Sequence, residues 1–130
     1  MGLEVMHLFA DGAPQPIAPF SHATVAGNFV FVTGQMPIVA ETGAYVRGSF
    51  AEQTDAVMKN LAAVLDAAGS DWDHVLHCRI YLTDFARYAE VNDAYRRWFP
   101  SGRLPARTCI GVTGLARDAL VEIDFVAKRP

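Results

Sequence analysis

Cysteine is scarce: only Cys78 and Cys109 occur, too few for a disulfide framework and without the paired spacing of a metal site. His7, His22, His74 and His77 form no HxxxH or HExxH pair, so histidine offers no metal cage either. His74, His77 and Cys78 lie close in sequence, but an alternating strand sends His77 and Cys78 to opposite faces. Basic charge is also thin. Eleven Lys and Arg are dispersed against fourteen Asp and Glu, for a net charge of −3, where a nucleic-acid binder carries a basic stripe. RNA and DNA are therefore not expected partners. No run of about 18 apolar residues exists, so no membrane span is expected. The start, Met1-Gly2-Leu3-Glu4, is not basic and no long apolar run follows; Met6 stands where a myristoylation motif needs Ser or Thr. A reduced, cytoplasmic setting is the expectation.

What is present is the composition of a folded domain, 52% hydrophobic and 19% charged over 130 residues. One domain spanning residues 1–130 fits that length, and such a chain buries roughly two-thirds of its surface. Pro14, Pro16 and Pro19 make residues 11–19 an irregular loop. Two β runs follow, His22 to Val25 and Phe29 to Thr33, with Gly27-Asn28 as a hairpin turn. Residues 37–48 form a second loop turning at Glu41-Thr42-Gly43.

Ser49-Phe50-Ala51-Glu52 reads as a capping box opening a helix. Its apolar face is Val57, Met58, Leu61, Val64, Leu65 and Ala68, and Gly69 ends it. From His74 to Leu82 the pattern alternates, with Leu76, Cys78, Ile80 and Leu82 on one face and Val75, His77, Arg79 and Tyr81 on the other. Asp84 caps a second helix with Phe85, Tyr88, Val91, Tyr95, Trp98 and Phe99 as its buried stripe, stopped by Pro100. Two strands close the chain, near 107–113 and 119–127. The order predicts an α+β layer, with two helices on one face of a mixed sheet. The other face is mixed rather than polar, which predicts a homo-oligomer.

The last two strands carry the clearest chemistry. Read as an antiparallel hairpin, they place Cys109 opposite Glu122 and Arg107 opposite Asp124; a slip of two residues brings Arg107 opposite Glu122 instead. A guanidinium, a thiol and a carboxylate are then expected together. Arg offers a planar fork of donors suited to a carboxylate ligand, Glu can orient a water, and Cys can attack. The competing readings are an ordinary Arg–acid ion pair and a packing cysteine. Trp72, Trp98, Tyr81, Tyr95 and Phe125 are expected in the core or an interface, and His22 has no assigned role.

Several motifs resemble the RidA/YjgF group of reactive-intermediate deaminases nearly end to end. They include residues 16–21 (PIAPFS), 31–37 (FVTGQMP), Glu52-Gln53-Thr54 through Asn60-Leu61, 81–84 (YLTD), Val91-Asn92, Phe99-Pro100, 105–109 (PARTC) and 119–123 (ALVEI). The resemblance implies a chorismate-mutase-like fold, a homotrimer with intersubunit sites, and cofactor-free, metal-free hydrolysis of 2-imino and enamine acids such as 2-aminoacrylate or 2-iminopropanoate. It implies that Arg107 holds the substrate carboxylate, that the backbone around Cys109 meets the imine end, and that Glu122 positions water. Gly34 then lets the backbone approach the ligand, Asn92 supports the site, and Phe20 and Thr33 line it. Phe20 stands where well-studied members have tyrosine, and Thr33 where serine is common. The 18–20 segment also resembles the RutC-type branch. Alternatives are a deaminase dedicated to aminoacrylate or an aminomuconate-like acid, a non-catalytic carboxylate sensor, and an endoribonuclease, which the charge disfavours.

Overall fold

Helix α1 (Phe50–Ala67) forms where the sequence closes both of its ends. The Ser49 hydroxyl accepts from the Glu52 amide at 3.1 Å, and Glu52 Oε1 accepts from the Ser49 amide at 3.2 Å. At the other end Gly69 takes φ 77°. There the Ser70 and Gly69 amides donate to the Leu65 and Asp66 carbonyls, the Schellman pattern that a left-handed glycine permits. The stripe Val57, Met58, Leu61, Val64 and Leu65 is buried against the sheet. The computed structural model describes residues 4–130. Met1, Gly2 and Leu3, part of the stretch in which no signal segment was expected, lie outside the described residues.

Six strands form one mixed sheet: β1 (Val5–Leu8), β2 (Ala23–Ala26), β3 (Phe29–Gln35), β4 (Val75–Leu82), β5 (Ala106–Gly111) and β6 (Val121–Lys128), in the order β1-β2-β3-β6-β4-β5. Every pairing is antiparallel except β4 with β5, which is parallel. Parallel neighbours need a crossover, supplied here by a 3-10 turn (Phe85–Arg87) and helix α2 (Tyr88–Arg96). On β6 the odd residues Val121, Ile123, Phe125 and Ala127 are buried in the helix-covered core, while the even ones face the open side. The predicted layer of two helices on a mixed sheet is what forms.

Four details differ from the sequence reading. Strand β1 was not anticipated: it is only four residues long and sits at an edge with no central residue buried. In β4 a bulge between Val75 and His77 shifts the register, so Val75 turns into the core and Leu76 outward; the expected alternation holds only from Cys78 onward. Asp84 caps the 3-10 turn, its side chain accepting from the Ala86 amide, and the α-helix proper starts at Tyr88. Phe85 is exposed rather than part of a buried stripe. The largest correction concerns the final hairpin: β5 and β6 are not neighbours, because β4 lies between them. The β6 strand, apolar at every odd position, takes the central place, and the exposed β5 takes the edge.

Candidate active site

Inserting β4 separates the residues that the hairpin reading had brought together. Arg107 pairs in register with Cys78, and Cys109 with Ile80, so both point to the helix-covered side. Glu122 pairs with Tyr81 and points to the open side. Asp124 does not meet Arg107. Its carboxylate bonds Arg79 Nε at 2.8 Å and accepts from the Tyr81 hydroxyl at 3.0 Å. One chain therefore carries two candidate half-sites, on opposite sides of the sheet.

The first half-site lies between β5 and α2. Tyr88, Asn92 and Tyr95 follow one another at helical spacing, so α2 turns one polar-aromatic face to Arg107. The guanidinium lies 5.4 Å from the Tyr88 ring centre and 5.2 Å from that of Tyr95, and its Nη2 donates to the Tyr88 hydroxyl at 2.7 Å. Among the described residues no carboxylate lies within ion-pairing distance of it. Arg107 borders a cavity of about 220 Å³ with Asn92, Tyr95, Arg96, Leu104 and Pro105. Asn92 Oδ1 and the Tyr95 hydroxyl are buried there without a hydrogen-bond partner, and native proteins seldom leave such groups unmatched. Burial and the neighbouring Cys78 thiol push the Tyr95 phenol well above its ordinary range. Tyr95 was expected in the core or an interface, and it is buried in the core; its contact with Arg107 follows from α2 lying over β5, which the hairpin reading had excluded.

Neither thiol is pulled down toward the thiolate that nucleophilic attack uses. Burial pushes the Cys78 thiol up to about 12. Burial also raises Cys109, with Arg107 pulling weakly the other way. No histidine bonds either sulfur. Among the described residues no three His, Cys, Asp or Glu side chains group as metal ligands.

The second half-site surrounds Glu122. Between Val32 and Gln35 three steps on β3 oppose two on β6, a bulge centred on Thr33 and Gly34. It lets Val32 and Gln35 both turn inward while Gly34 lies against the Glu122 side chain. A Cβ on Gly34 would overlap the carboxylate oxygen and sit 3.0 Å from Cδ, so only glycine admits this approach. Burial first, and Asp124 second, raise the Glu122 carboxyl above its ordinary 4.5. Glu122, Gly34, Thr33 and Phe20 line one cavity of about 340 Å³ with Ile17, Met36, Ile38 and Tyr45 among its walls.

Two motif residues, Asn60 and Gln53, and the neighbouring His22 turn out to be scaffolding, which spacing alone did not reveal. Asn60 Nδ2 donates to the Met36 and Ile38 carbonyls and fixes that cavity's wall. Gln53 Oε1 accepts from the Leu120 amide just before β6. His22 is a buried staple: Nδ1 accepts from the Ala10 amide at 2.8 Å, leaving Nε2 to donate to the Pro14 carbonyl at 2.7 Å. A polar residue inside an otherwise apolar helical stripe, as Asn60 is, was the available signal.

A six-stranded mixed sheet with two helices on one face, with Arg107 on one side and Glu122 against the β3 bulge on the other, defines a small α+β protein. Known proteins agree. Residues 10–129 match the family model described as "Endoribonuclease L-PSP". A RutC family protein of Pyrococcus horikoshii is 40% identical, covering 94% of this chain and 96% of its own length. The chloroplastic Reactive Intermediate Deaminase A of Arabidopsis thaliana is 37% identical over 90% of this chain and 62% of its own. Among solved structures, E. coli TdcF with bound serine superposes with a TM-score of 0.90 at 27% identity, over 96% of this chain and 99% of that one. The chain belongs to this L-PSP family, the RidA/YjgF group that the motifs resembled.

Proposed function

We propose that the protein is an enamine/imine deaminase that hydrolyses 2-imino acids and their enamine tautomers to 2-oxo acids and ammonia. The observation that carries this reading is Arg107: a guanidinium held between two tyrosine rings, bordering a cavity, and without an acidic partner. A planar fork left free in this way matches the carboxylate of a 2-imino acid. The name of the Arabidopsis relative and the serine in the TdcF structure point the same way.

The chemistry asks for little beyond placement. With the substrate carboxylate on Arg107, water adds to the electrophilic imine carbon. The nitrogen gains a proton, and the carbinolamine collapses, breaking the C–N bond to give ketone and ammonia. Glu122 orients the water and takes its proton, while the backbone around Cys109 and the side chain of Asn92 meet the nitrogen end. Cys109 acts as a wall rather than a nucleophile, in keeping with its raised thiol.

Arg107 and Glu122 lie in different cavities on opposite sides of the sheet. The reading therefore assigns each complete site to two copies, Arg107, Asn92 and Cys109 from one and Phe20, Thr33, Gly34 and Glu122 from the next. A homotrimer is the assembly implied by the family resemblance. The uncovered sheet face supports it: Phe29, Phe31 and Ile110 stand there 51%, 48% and 45% exposed.

The test follows 2-iminopropanoate generated in situ by an amino-acid oxidase, with semicarbazide trapping whatever imine is left. Faster imine loss with the wild type, abolished in Arg107→Ala, is the expected result. No acceleration by the wild type overturns the proposal; 2-oxo acid binding without turnover would then identify a sensor. The family's name includes ribonuclease activity, but a net charge of −3 with scattered basic residues favours a small anionic substrate over RNA.

A further inference from the structure

The Glu122 cavity is not closed at its far wall. Its residues Pro14, Gln15, Ile17, Ile38 and Tyr45 also line a second cavity of about 550 Å³, whose walls include Arg117. A cleft thus runs from Glu122 past Tyr45 to Arg117. Its first compartment alone lies in the ~300–1,000 Å³ range of pockets that hold drug-sized ligands, far larger than a three-carbon acid.

Two guanidiniums converge beside Tyr45, that of Arg117 lining the second cavity and that of Arg47 lying next to it, outside the cavity's lining. Arg47 lies 5.2 Å and Arg117 5.9 Å from the centre of the same Tyr45 ring, and Arg47 donates to the Arg117 carbonyl. Two like charges drawn to one ring repel each other, and among the described residues neither has a carboxylate within ion-pairing distance. Asp11 and Glu41 border the second cavity but pair with neither arginine. The Tyr45 hydroxyl is buried without a partner. Arg117 is also held in the left-handed region, φ 52° and ψ 35°, and Asp118 follows at φ 58°. Non-glycine residues adopt that conformation at a cost, and such outliers gather at functional sites.

We propose that this end of the cleft binds a second anionic group, so that the preferred substrates are longer imino or enamine acids carrying a distal carboxylate. The inference rests on the deaminase reading for the reacting end. The distal group would lie between the Arg47 and Arg117 guanidiniums and cancel their repulsion, with the Tyr45 hydroxyl available to donate to it.

The experiment measures calorimetric binding of two 2-oxo acids of equal chain length, 2-oxoadipate and 2-oxohexanoate, which differ in the distal carboxylate. It uses the wild-type protein, Arg117→Gln and Arg47→Gln. The wild type should bind the diacid about tenfold more tightly, as one charge-assisted hydrogen bond implies. That ratio should fall toward one in each variant. Equal affinity for the two acids in the wild type, a ratio unchanged in both variants, or no binding of either acid overturns the proposal. Because the readout is binding, a protein that prefers the diacid yet leaves every imine intact would sustain the distal anion site while sinking the deaminase reading and, with it, the assignment of imino acids as substrates.

Discussion

Glu122 and Gly34 show how one residue's chemistry depends on another's missing side chain. In Gly34→Ala the new Cβ would displace the Glu122 carboxylate, a flexible group free to swing away, so the fold should survive. The expected outcome is a loss of about 100-fold in kcat, the usual result of misplacing a group by about an ångström, with a melting temperature close to that of the wild type. Circular dichroism and the semicarbazone assay check the two halves. The raised Glu122 carboxyl also sets a pH dependence. Its base form is populated only above a value higher than 4.5, so the acid limb of kcat/KM should lie above that value. Asp124→Asn, which removes the second cause of the shift, should move the limb down. For stability the sign is opposite. A carboxyl raised by folding favours the native state at low pH, and that contribution is lost as pH rises through the folded value; Glu122→Gln should abolish the dependence. Arg107 and Glu122 were legible as candidates from residue type and strand pattern, beside the competing reading of an ordinary ion pair, whereas Gly34 came only through the family resemblance. Tyr88, the partner of Arg107, was read only as packing, because its role appears once α2 is laid over β5.

At the scale of elements, local signals were read well and long-range pairing was not. The cap at Ser49, the stop at Gly69 and the hairpin at Gly27 each depend on a few adjacent residues and formed as expected. The partner of β5 depends instead on which strand competes best for the sheet centre. Alternation in β5 and β6 is equally compatible with a hairpin or with separation by β4, so parity alone could not decide. The crossover through α2 decided it, and it alone brings Tyr88 and Tyr95 to Arg107. Buried polar groups on α1 show the same dependence on distant partners. Asn60→Leu keeps the branched heavy-atom shape but leaves the Met36 and Ile38 carbonyls without their donor. Urea unfolding should show a loss of about 2–3 kcal/mol.

For the whole molecule, the proposed division of the site between two cavities would make assembly a condition of activity. Arg107→Ala and Glu122→Ala should each be inactive alone. Denatured together and refolded as mixed oligomers, they should regain about a quarter of wild-type activity, the share of interfaces that unite two intact halves in a closed ring with heterologous contacts. No recovery after confirmed subunit mixing would place both residues of a working site in one chain. The mixed character of the open sheet face was visible in the sequence. Where the two half-sites fall on either side of that sheet was not, because it follows from strand order.

The guanidinium of Arg107, left without a counter-charge between its two tyrosines, has a consequence for how this protein behaves in any solution. A cation held open for one anion is open to all of them. On the proposed reading, sulfate, phosphate and the carboxylates of common buffers would compete with the substrate for the same fork, and bulk salt would screen its reach to about 8 Å at physiological ionic strength. The apparent affinity of the site is therefore a property of the medium as much as of the chain.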